Sequence, residues 1–118
     1  MYKIPKDIDF KNLNQQTLSH ITFAPNYVLL NFDNFSIQFS GHFEISNDSQ
    51  QISKNEVYPV DTDFGLLSLL GSKIDSIDCD TERSSLTIKF PGNYVLYLGS
   101  NDLYESFEMN INGKRVIV

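Results

Sequence analysis

The chain of 118 residues has one cysteine, no tryptophan and no long apolar run. A lone cysteine, Cys79, excludes an internal disulfide and agrees with a reducing compartment. No apolar stretch approaches the length that a bilayer requires, and residues 1–9 carry charges where a secretion signal needs apolar side chains. We therefore expect a cytoplasmic protein that does not bind a membrane.

Positive charge is scarce as well. Nine lysines and arginines face fifteen acids, which gives a net charge of −6, and residues 12–53 contain no lysine or arginine. Between Asp33 and Glu82 ten acids are balanced only by Lys54 and Lys73. A phosphate backbone would meet few counter-charges there, so we predict no nucleic-acid binding. The same field would accelerate encounter with a basic protein, with a purely solubilising role as the alternative.

What the chain does contain is a repeat. Residues 18–45 and 74–109 show the same order of alternating apolar positions, and the first three segments align without a gap apart from two extra residues in the first loop. The aligned pairs are Val28 with Leu86, Leu30 with Ile88, Phe32 with Phe90, Ile37 with Val95 and Phe39 with Tyr97. Such an alignment indicates a repeated supersecondary unit with a pseudo-twofold relation between the copies.

Period-two alternation predicts a mainly β fold, a two-layer antiparallel β-sandwich of two repeated meanders with one short helix between them. The alternative is an α+β fold in which a single curved sheet packs on the helix. We expect one domain over residues 1–118, with repeat one at about 13–45, a polar loop at 46–59, the helix at about 61–70 and repeat two at about 72–118. Asp61 or Thr62 would cap the helix and Gly71 would end it. The strands around Tyr27 and Tyr94 are apolar on both faces, which predicts a cover for the second face.

Few residues have the spacing of a reactive site. The segment Asp78-Cys79-Asp80-Thr81-Glu82 starts like a calcium loop, but Arg83 and Lys89 stand where Gly and Glu are required, so we predict no metal and no cofactor. His42 and Glu44 could form an acid/base pair, although the sequence shows no nucleophile motif beside them. The segment Tyr104 to Glu108 is interpreted as an edge strand, and Cys79 as a core residue. We expect no enzymatic activity.

Three short segments resemble a known family. They are Leu69-Leu70-Gly71-Ser72-Lys73-Ile74, Phe90-Pro91-Gly92 and Tyr104-Glu105-Ser106-Phe107. They are similar to a family of small uncharacterised bacterial β-rich proteins with a Leu-Leu-Gly segment, a Phe-Asp-Gly-like turn and a Tyr-Glu-x-aromatic segment. Members of that family look like immunity proteins encoded beside toxin genes. The resemblance implies an inhibitor of a toxin and supplies no catalytic residues.

These observations lead to one hypothesis and two alternatives. The chain is expected to be an immunity protein that binds and inhibits a cognate bacterial toxin domain, a basic nuclease delivered by contact-dependent competition. Carboxylates would occupy the place of nucleic-acid phosphate. The predicted toxin-binding residues are Glu44, Asp48, Glu56, Asp78, Asp80 and Glu82, with Tyr58 as an aromatic anchor. The alternatives are a small-molecule binding β module with an aromatic pocket between the sheets, and a homodimeric structural domain paired through apolar strand faces.

Overall fold

The computed structural model describes residues 3–99 and 106–118. Of the described residues, 42% are in β-structure, nearly all of it in two antiparallel sheets of five strands each, and 7% are helical. The strands are β1 His20–Phe23, β2 Val28–Asn31, β3 Phe35–Phe39, β4 Phe43–Ser46, β5 Gln51–Lys54, β6 Ser76–Cys79, β7 Leu86–Phe90, β8 Tyr94–Leu98, β9 Phe107–Ile111 and β10 Lys114–Ile117. The predicted mainly β sandwich is confirmed, and the single-curved-sheet alternative is wrong.

Alternation of apolar and polar side chains forms the two layers. In β3, Phe35, Ile37 and Phe39 are buried while Ser36 and Gln38 are only partly covered. In β7, Leu86, Ile88 and Phe90 follow the same rule. Side chains on one face of each strand therefore meet in a single apolar core between the sheets, and the other faces meet solvent. No helix in the described part of the chain is long and apolar enough to cross a membrane.

The sheets exchange strands between the two repeats. The first sheet has the order β1-β2-β3-β9-β10 and the second has the order β5-β4-β8-β7-β6. Three strands from one half of the chain are thus extended by two from the other half, through the antiparallel pairs β3 with β9 and β4 with β8. One meander lies in each sheet, β1-β2-β3 in the first and β6-β7-β8 in the second, and long-range pairing adds two strands of the other half to each.

The duplication itself is visible in the first hairpin of each half. Ile21 lies opposite Leu30 in β1 and β2, as Ile77 lies opposite Ile88 in β6 and β7. The same register places Phe23 opposite Val28 and Cys79 opposite Leu86. The predicted equivalences of Val28 with Leu86, Leu30 with Ile88 and Phe32 with Phe90 hold in this register, and all six side chains are buried.

The third strand departs from the gap-free alignment by one residue. Asp33 and Asn34 form the turn between β2 and β3, whereas three residues, 91–93, lie between the paired Phe90 and Tyr94. The equivalents of Ile37 and Phe39 are consequently Leu96 and Leu98, which are buried, and the predicted partners Val95 and Tyr97 point outward. Since side chains alternate, a shift of one residue moves every side chain to the opposite face.

The loop predicted over residues 46–59 contains a strand, β5, so that prediction is wrong. The Asn47 side-chain oxygen accepts hydrogen bonds from the backbone N–H groups of Ser49 and Gln50, both at 2.9 Å, and closes a tight hairpin. Ile52 then lies opposite Ile45 in β4. An edge strand needs few apolar residues, which is why this polar segment shows no clear periodicity.

The helix predicted over 61–70 is only a 3₁₀ turn, Leu66–Leu69. Phe64 and Gly65 have φ values of 53° and 79°, in the left-handed region that interrupts a helix. Thr62 and Asp63 accept hydrogen bonds from the N–H groups of these two residues and hold the bend. The turn buries Leu66 and Leu69 in the core, which explains the apolar composition that suggested a longer helix.

The repeat begins earlier than predicted. A first 3₁₀ turn, Phe10–Leu13, precedes the second one by 56 positions, and Thr17 forms a bridge with Lys73 at the same spacing. Backbone hydrogen bonds around this bridge come in matched pairs, for example Gln15 N to Ile74 O at 2.7 Å and Gly71 N to Leu18 O at 2.8 Å. A pseudo-twofold axis therefore passes between Thr17 and Lys73. Each unit consists of a 3₁₀ turn and five strands, and we name them the first unit (residues 10–54) and the second unit (residues 66–117).

Candidate functional site

All seven predicted toxin-binding residues lie in or beside the second sheet. Glu44 is on β4 and Asp78 on β6, and the remainder lie in connections: Asp48 between β4 and β5, Glu56 and Tyr58 after β5, and Asp80 and Glu82 between β6 and β7. Six of the seven are exposed, with Tyr58 at 58%, and Glu44 is half-buried. The structure therefore makes these side chains accessible, and their distances from one another decide which can act together.

Strand register places Glu44 and Asp78 in one row on the outer face of the second sheet. The row runs Ser53, Glu44, Tyr97, Thr87, Asp78 across β5, β4, β8, β7 and β6. With strands spaced by about 4.8 Å, the two carboxylates are roughly 14 Å apart. Tyr97 lies between them and is partly exposed. An aromatic ring flanked by two separated carboxylates therefore marks the centre of this face.

The other predicted residues divide between the two ends of the sheet. The direction of the strands puts Glu56 and Tyr58 at the same end as Asp80 and Glu82, although at opposite edges. Asp48 lies at the far end, where its carboxylate accepts a hydrogen bond from the Asn93 side chain at 2.9 Å. We define the acidic face as Glu44, Glu56, Asp78, Asp80 and Glu82. Glu44 and Asp78 lie on the outer face of the second sheet, and the other three lie at the end of that sheet where β5 and β6 end. The structure separates Asp48 from this group.

His42 and Glu44 form the pair that their spacing suggested. The imidazole Nε2 is 3.1 Å from Glu44 Oε2, and Glu44 Oε1 accepts a hydrogen bond from the Gln51 side chain at 3.1 Å. The His42 ring meets the Tyr97 ring at 5.9 Å, edge to face. Both oxygens of Glu44 are thus engaged, so the carboxylate is held in place on the sheet and offers its remaining lone pairs outward.

Asp80 organises the connection between β6 and β7. Its carboxylate accepts hydrogen bonds from Ser84 N at 2.7 Å, Ser85 N at 3.0 Å and the Ser84 hydroxyl at 3.0 Å. Burial acts to raise the pKa of Asp80, but the donors of Ser85 and Ser84 outweigh it and lower the pKa below its ordinary value. Asp80 therefore contributes to loop structure as well as to charge, a role that the sequence pattern did not indicate.

The negative charge of the central segment is mostly uncompensated. In the described ranges the ion pairs are Lys3 with Glu82, His42 with Glu44, Lys114 with Asp7 and Arg115 with Glu108. Eight of the ten acids between residues 33 and 82 thus form no ion pair with another described side chain. Lys54, one of the two bases of this segment, reaches toward the carbonyl oxygens of Val57 and Pro59. The local field therefore remains strongly negative.

A cleft that no motif indicated lies on the other side of the molecule. It has a volume of about 560 Å³ and opens between residues 7–16, the turn at Asn34 and the hairpin of β9 and β10. Its lining includes both charges of the pair between Asp7 and Lys114, whose atoms are 3.2 Å apart. The only signal for this cleft in the sequence is the difference between related positions of the two units.

The remaining candidates supply little further chemistry. Within residues 3–99 and 106–118 there is no group of three or more His, Cys, Asp or Glu side chains arranged to hold a metal ion. Cys79 is partly buried and packs against the core, as predicted. The Tyr104 and Glu105 part of the predicted edge strand lies outside the described residues. Phe107 and Glu108 belong to β9, which pairs with both β3 and β10, so the prediction of an edge strand is wrong for this part. Comparison with protein-family models, curated protein sequences and solved structures found no significant match to this chain.

Proposed function

We propose that this protein is an immunity protein that binds and inhibits a cognate toxin domain, a basic nuclease. The observation that supports it is the concentration of acids between residues 33 and 82, mostly in and around the second sheet, of which eight of ten have no ion-pair partner among the described side chains. Exposed carboxylates of one sign raise the association rate with a basic partner and select against acidic ones. They also present oxygens where a nuclease binds phosphate.

The acidic face gives this proposal a defined surface. Tyr97 and Tyr58 can supply the large, rigid contacts that dominate interface energetics, and Glu44 is the cross-strand neighbour of Tyr97. The row from Ser53 to Asp78 crosses five strands, about 19 Å at the usual strand spacing. A surface of that width suits a standard interface of about 800 Å² per partner. Glu44 and Asp78 lie on strands of the sheet, which limits the entropy that these two positions lose on binding.

The two alternative functions have weaker support. The aromatic interior is filled, since Phe32 stacks on Phe35 at 4.5 Å, and Phe43 contacts both Phe39 at 5.4 Å and Phe64 at 5.2 Å. The outward apolar residues Leu29, Val95 and Tyr97 lie between polar cross-strand neighbours, which half-cover them in place of the predicted further layer. A pocket between the sheets would need an interior that is not filled. An apolar dimer face would need outward apolar residues next to one another.

The test is rescue and binding with any toxin domain that the source genome encodes beside this gene. Wild-type protein should protect cells that express that toxin, and its association rate should fall as salt rises. The variant Glu56→Gln with Asp78→Asn should associate more slowly with a flatter salt dependence. The matched control is Thr22→Lys with Asn110→Lys, which changes the net charge equally on the outer face of the first sheet and should behave more like wild type. Absence of binding and rescue would refute the proposal, and equal slowing by both double variants would refute the assignment to the acidic face.

A further inference from the structure

The second unit has a place that corresponds to the cleft of the first unit, and an aromatic side chain fills it. The spacing of 56 positions relates Ile8 to Phe64, and strand register relates Lys114 to Gln50, since Val116 faces Met109 as Ile52 faces Ile45. Beside the second unit, the Phe64 side chain is 5% exposed and packs against Phe43. The backbone differs as well as the side chains, since Phe64 and Gly65 have φ values of 53° and 79°, whereas Asp9, at the position related to Gly65, is extended with φ −95°.

Gln50 and Ile52 close the filled place from the other side. The Gln50 side-chain nitrogen and Ile52 Cδ1 lie 3.3 Å and 3.9 Å from where a Cβ on Gly65 would stand. In the first unit Asp9 takes the place of Gly65, and its carboxylate caps the 3₁₀ turn through Lys11 N at 3.0 Å. Lys114 takes the place of Gln50 and extends outward to Asp7. These replacements leave the cleft open.

The open cleft has an apolar floor and a charged rim. Leu13 and Val116 are buried in its floor, and Ile8 and Ile111 border them. Asp7, Asp9 and Lys114 supply charges of both signs at the rim. Leu13 and Val116 are each only 3% exposed, so the apolar surface open in the cleft comes from the partly buried Ile8 and Ile111. An occupant that packs on these two side chains would bury this surface, as the aromatic ring does at the related place.

We propose that this cleft binds a small zwitterion with an apolar side chain, the class of the α-amino acids. The ammonium group pairs with Asp7 and Asp9, the carboxylate pairs with Lys114, and the side chain packs on Ile8 and Ile111 above the floor. The pair of Asp7 and Lys114 is 72% and 56% exposed and is easily separated, since exposed ion pairs contribute little stability. A volume of about 560 Å³ lies within the range of small-molecule sites.

The test is a titration of the full chain followed by backbone amide NMR, independent of any toxin. L-leucine and L-phenylalanine are the probes, and at least one should give saturable shifts in residues 7–16 and 111–116 with a Kd of about 1 mM or tighter. L-leucinamide and N-acetyl-L-leucine each lack one charge and should bind about tenfold more weakly than L-leucine. Lys114→Gln should remove the preference for L-leucine over its amide, whereas the control Asp63→Asn, at the position related to Asp7, should leave it unchanged.

A second variant tests the shape of the cleft. Ile8→Phe enlarges a partly buried side chain at the border of the cleft, and it should reduce probe binding at least tenfold while the melting temperature remains near that of wild type. If Ile8→Phe fails to fold, the exposed Lys114→Gln variant still decides the question. Failure of both amino acids to shift the cleft residues, or equal binding of L-leucine, its amide and its N-acetyl form, would overturn the proposal.

Discussion

The two units share their strands and differ in their connections. The first hairpins have the same register, and the 3₁₀ turns precede them at the same distance. By contrast, the turn into the third strand has two residues in the first unit and three in the second, and Asp80 braces only the second unit's first connection. Inner apolar side chains thus preserve the backbone, whereas the connections vary and carry most of the charge. Candidate binding residues are therefore to be sought where the copies differ.

The units also hold each other together in related ways. Ile4 N donates to Arg83 O at 2.8 Å, and Val60 N donates to Pro25 O at 3.1 Å. In each case the segment before one unit is bound to the first connection of the other unit. Arg83 strengthens its side with hydrogen bonds from its guanidinium to the carbonyl oxygens of Ile4 and Pro5. Together with the exchanged strands, these contacts predict that neither unit unfolds alone.

The largest expected effect comes from matched core truncations. Leu30 and Ile88 occupy related positions, and both are fully buried. Leu30→Ala and Ile88→Ala should each destabilise by about 2–5 kcal/mol, through lost burial and a residual cavity. Urea unfolding followed by two probes should show one transition for each variant. A cost below about 1 kcal/mol, or two separate transitions, would break the equivalence of the units.

A smaller effect distinguishes the residues that end the 3₁₀ segments. Gln15 and Gly71 are related positions with φ values of 68° and 86°, a conformation that glycine adopts without a Cβ clash. Gly71→Gln should destabilise by about 1–2 kcal/mol from conformation alone, since nothing lies within 4 Å of its Cβ position. Gln15→Gly should be near neutral, because relief of strain offsets the greater freedom of the unfolded chain. Thermal melts of the two variants check the asymmetry, and equal losses would contradict it.

Sequence reasoning gave the sandwich and its inner residues because alternation is a local signal. It missed β5, although the repeat contained the information, since the hairpin at Asn112 and Gly113 followed by β10 is the counterpart of the turn after Asn47 followed by β5. It overestimated the helix because leucine content does not reveal the left-handed φ of Phe64. It also missed the exchange of strands between sheets, which depends on pairing between residues far apart in sequence.

The candidate site, like the fold, could be predicted from the sequence only in part. Exposure of the acids followed from their polar surroundings, and six of the seven predicted residues are exposed. The grouping of these acids could not be predicted from the sequence. It depends on the direction of each strand in the sheet, which places Asp48 at the end opposite to the others. The structural role of Asp80 depends on three hydrogen-bond donors in the following loop, and such hydrogen bonds produce no periodic pattern in the sequence. The cleft arises from differences between related residues, so no single motif marks it.

Asp80 provides a pH-dependent test of the longer connection. Because its pKa is lowered on folding, Asp80 stabilises the protein above its unfolded pKa of about 3.9, and this contribution is lost as the pH falls through the lower folded value. Asp80→Asn should therefore cost below about 1 kcal/mol at neutral pH, given how exposed the group is. The difference from wild type should shrink below pH 4. Urea unfolding at several pH values measures it, and a difference that grows on acidification would contradict the assigned hydrogen bonds.

The smallest effect concerns the ion pair beside the contact of Ile4 with Arg83. Lys3 Nζ lies 3.6 Å from the Glu82 carboxylate, and the two side chains are 55% and 76% exposed, so solvent and salt screen the attraction. A double-mutant cycle with Lys3→Gln and Glu82→Gln should give a coupling below about 0.5 kcal/mol. Lys3 also donates to the Glu82 carbonyl at 3.2 Å, a bond that Glu82→Gln leaves in place. Lys3→Gln alone should therefore cost slightly more than Glu82→Gln alone. A coupling well above this value would show that charge, and not the burial of Ile4, binds the leading segment of the first unit to the second.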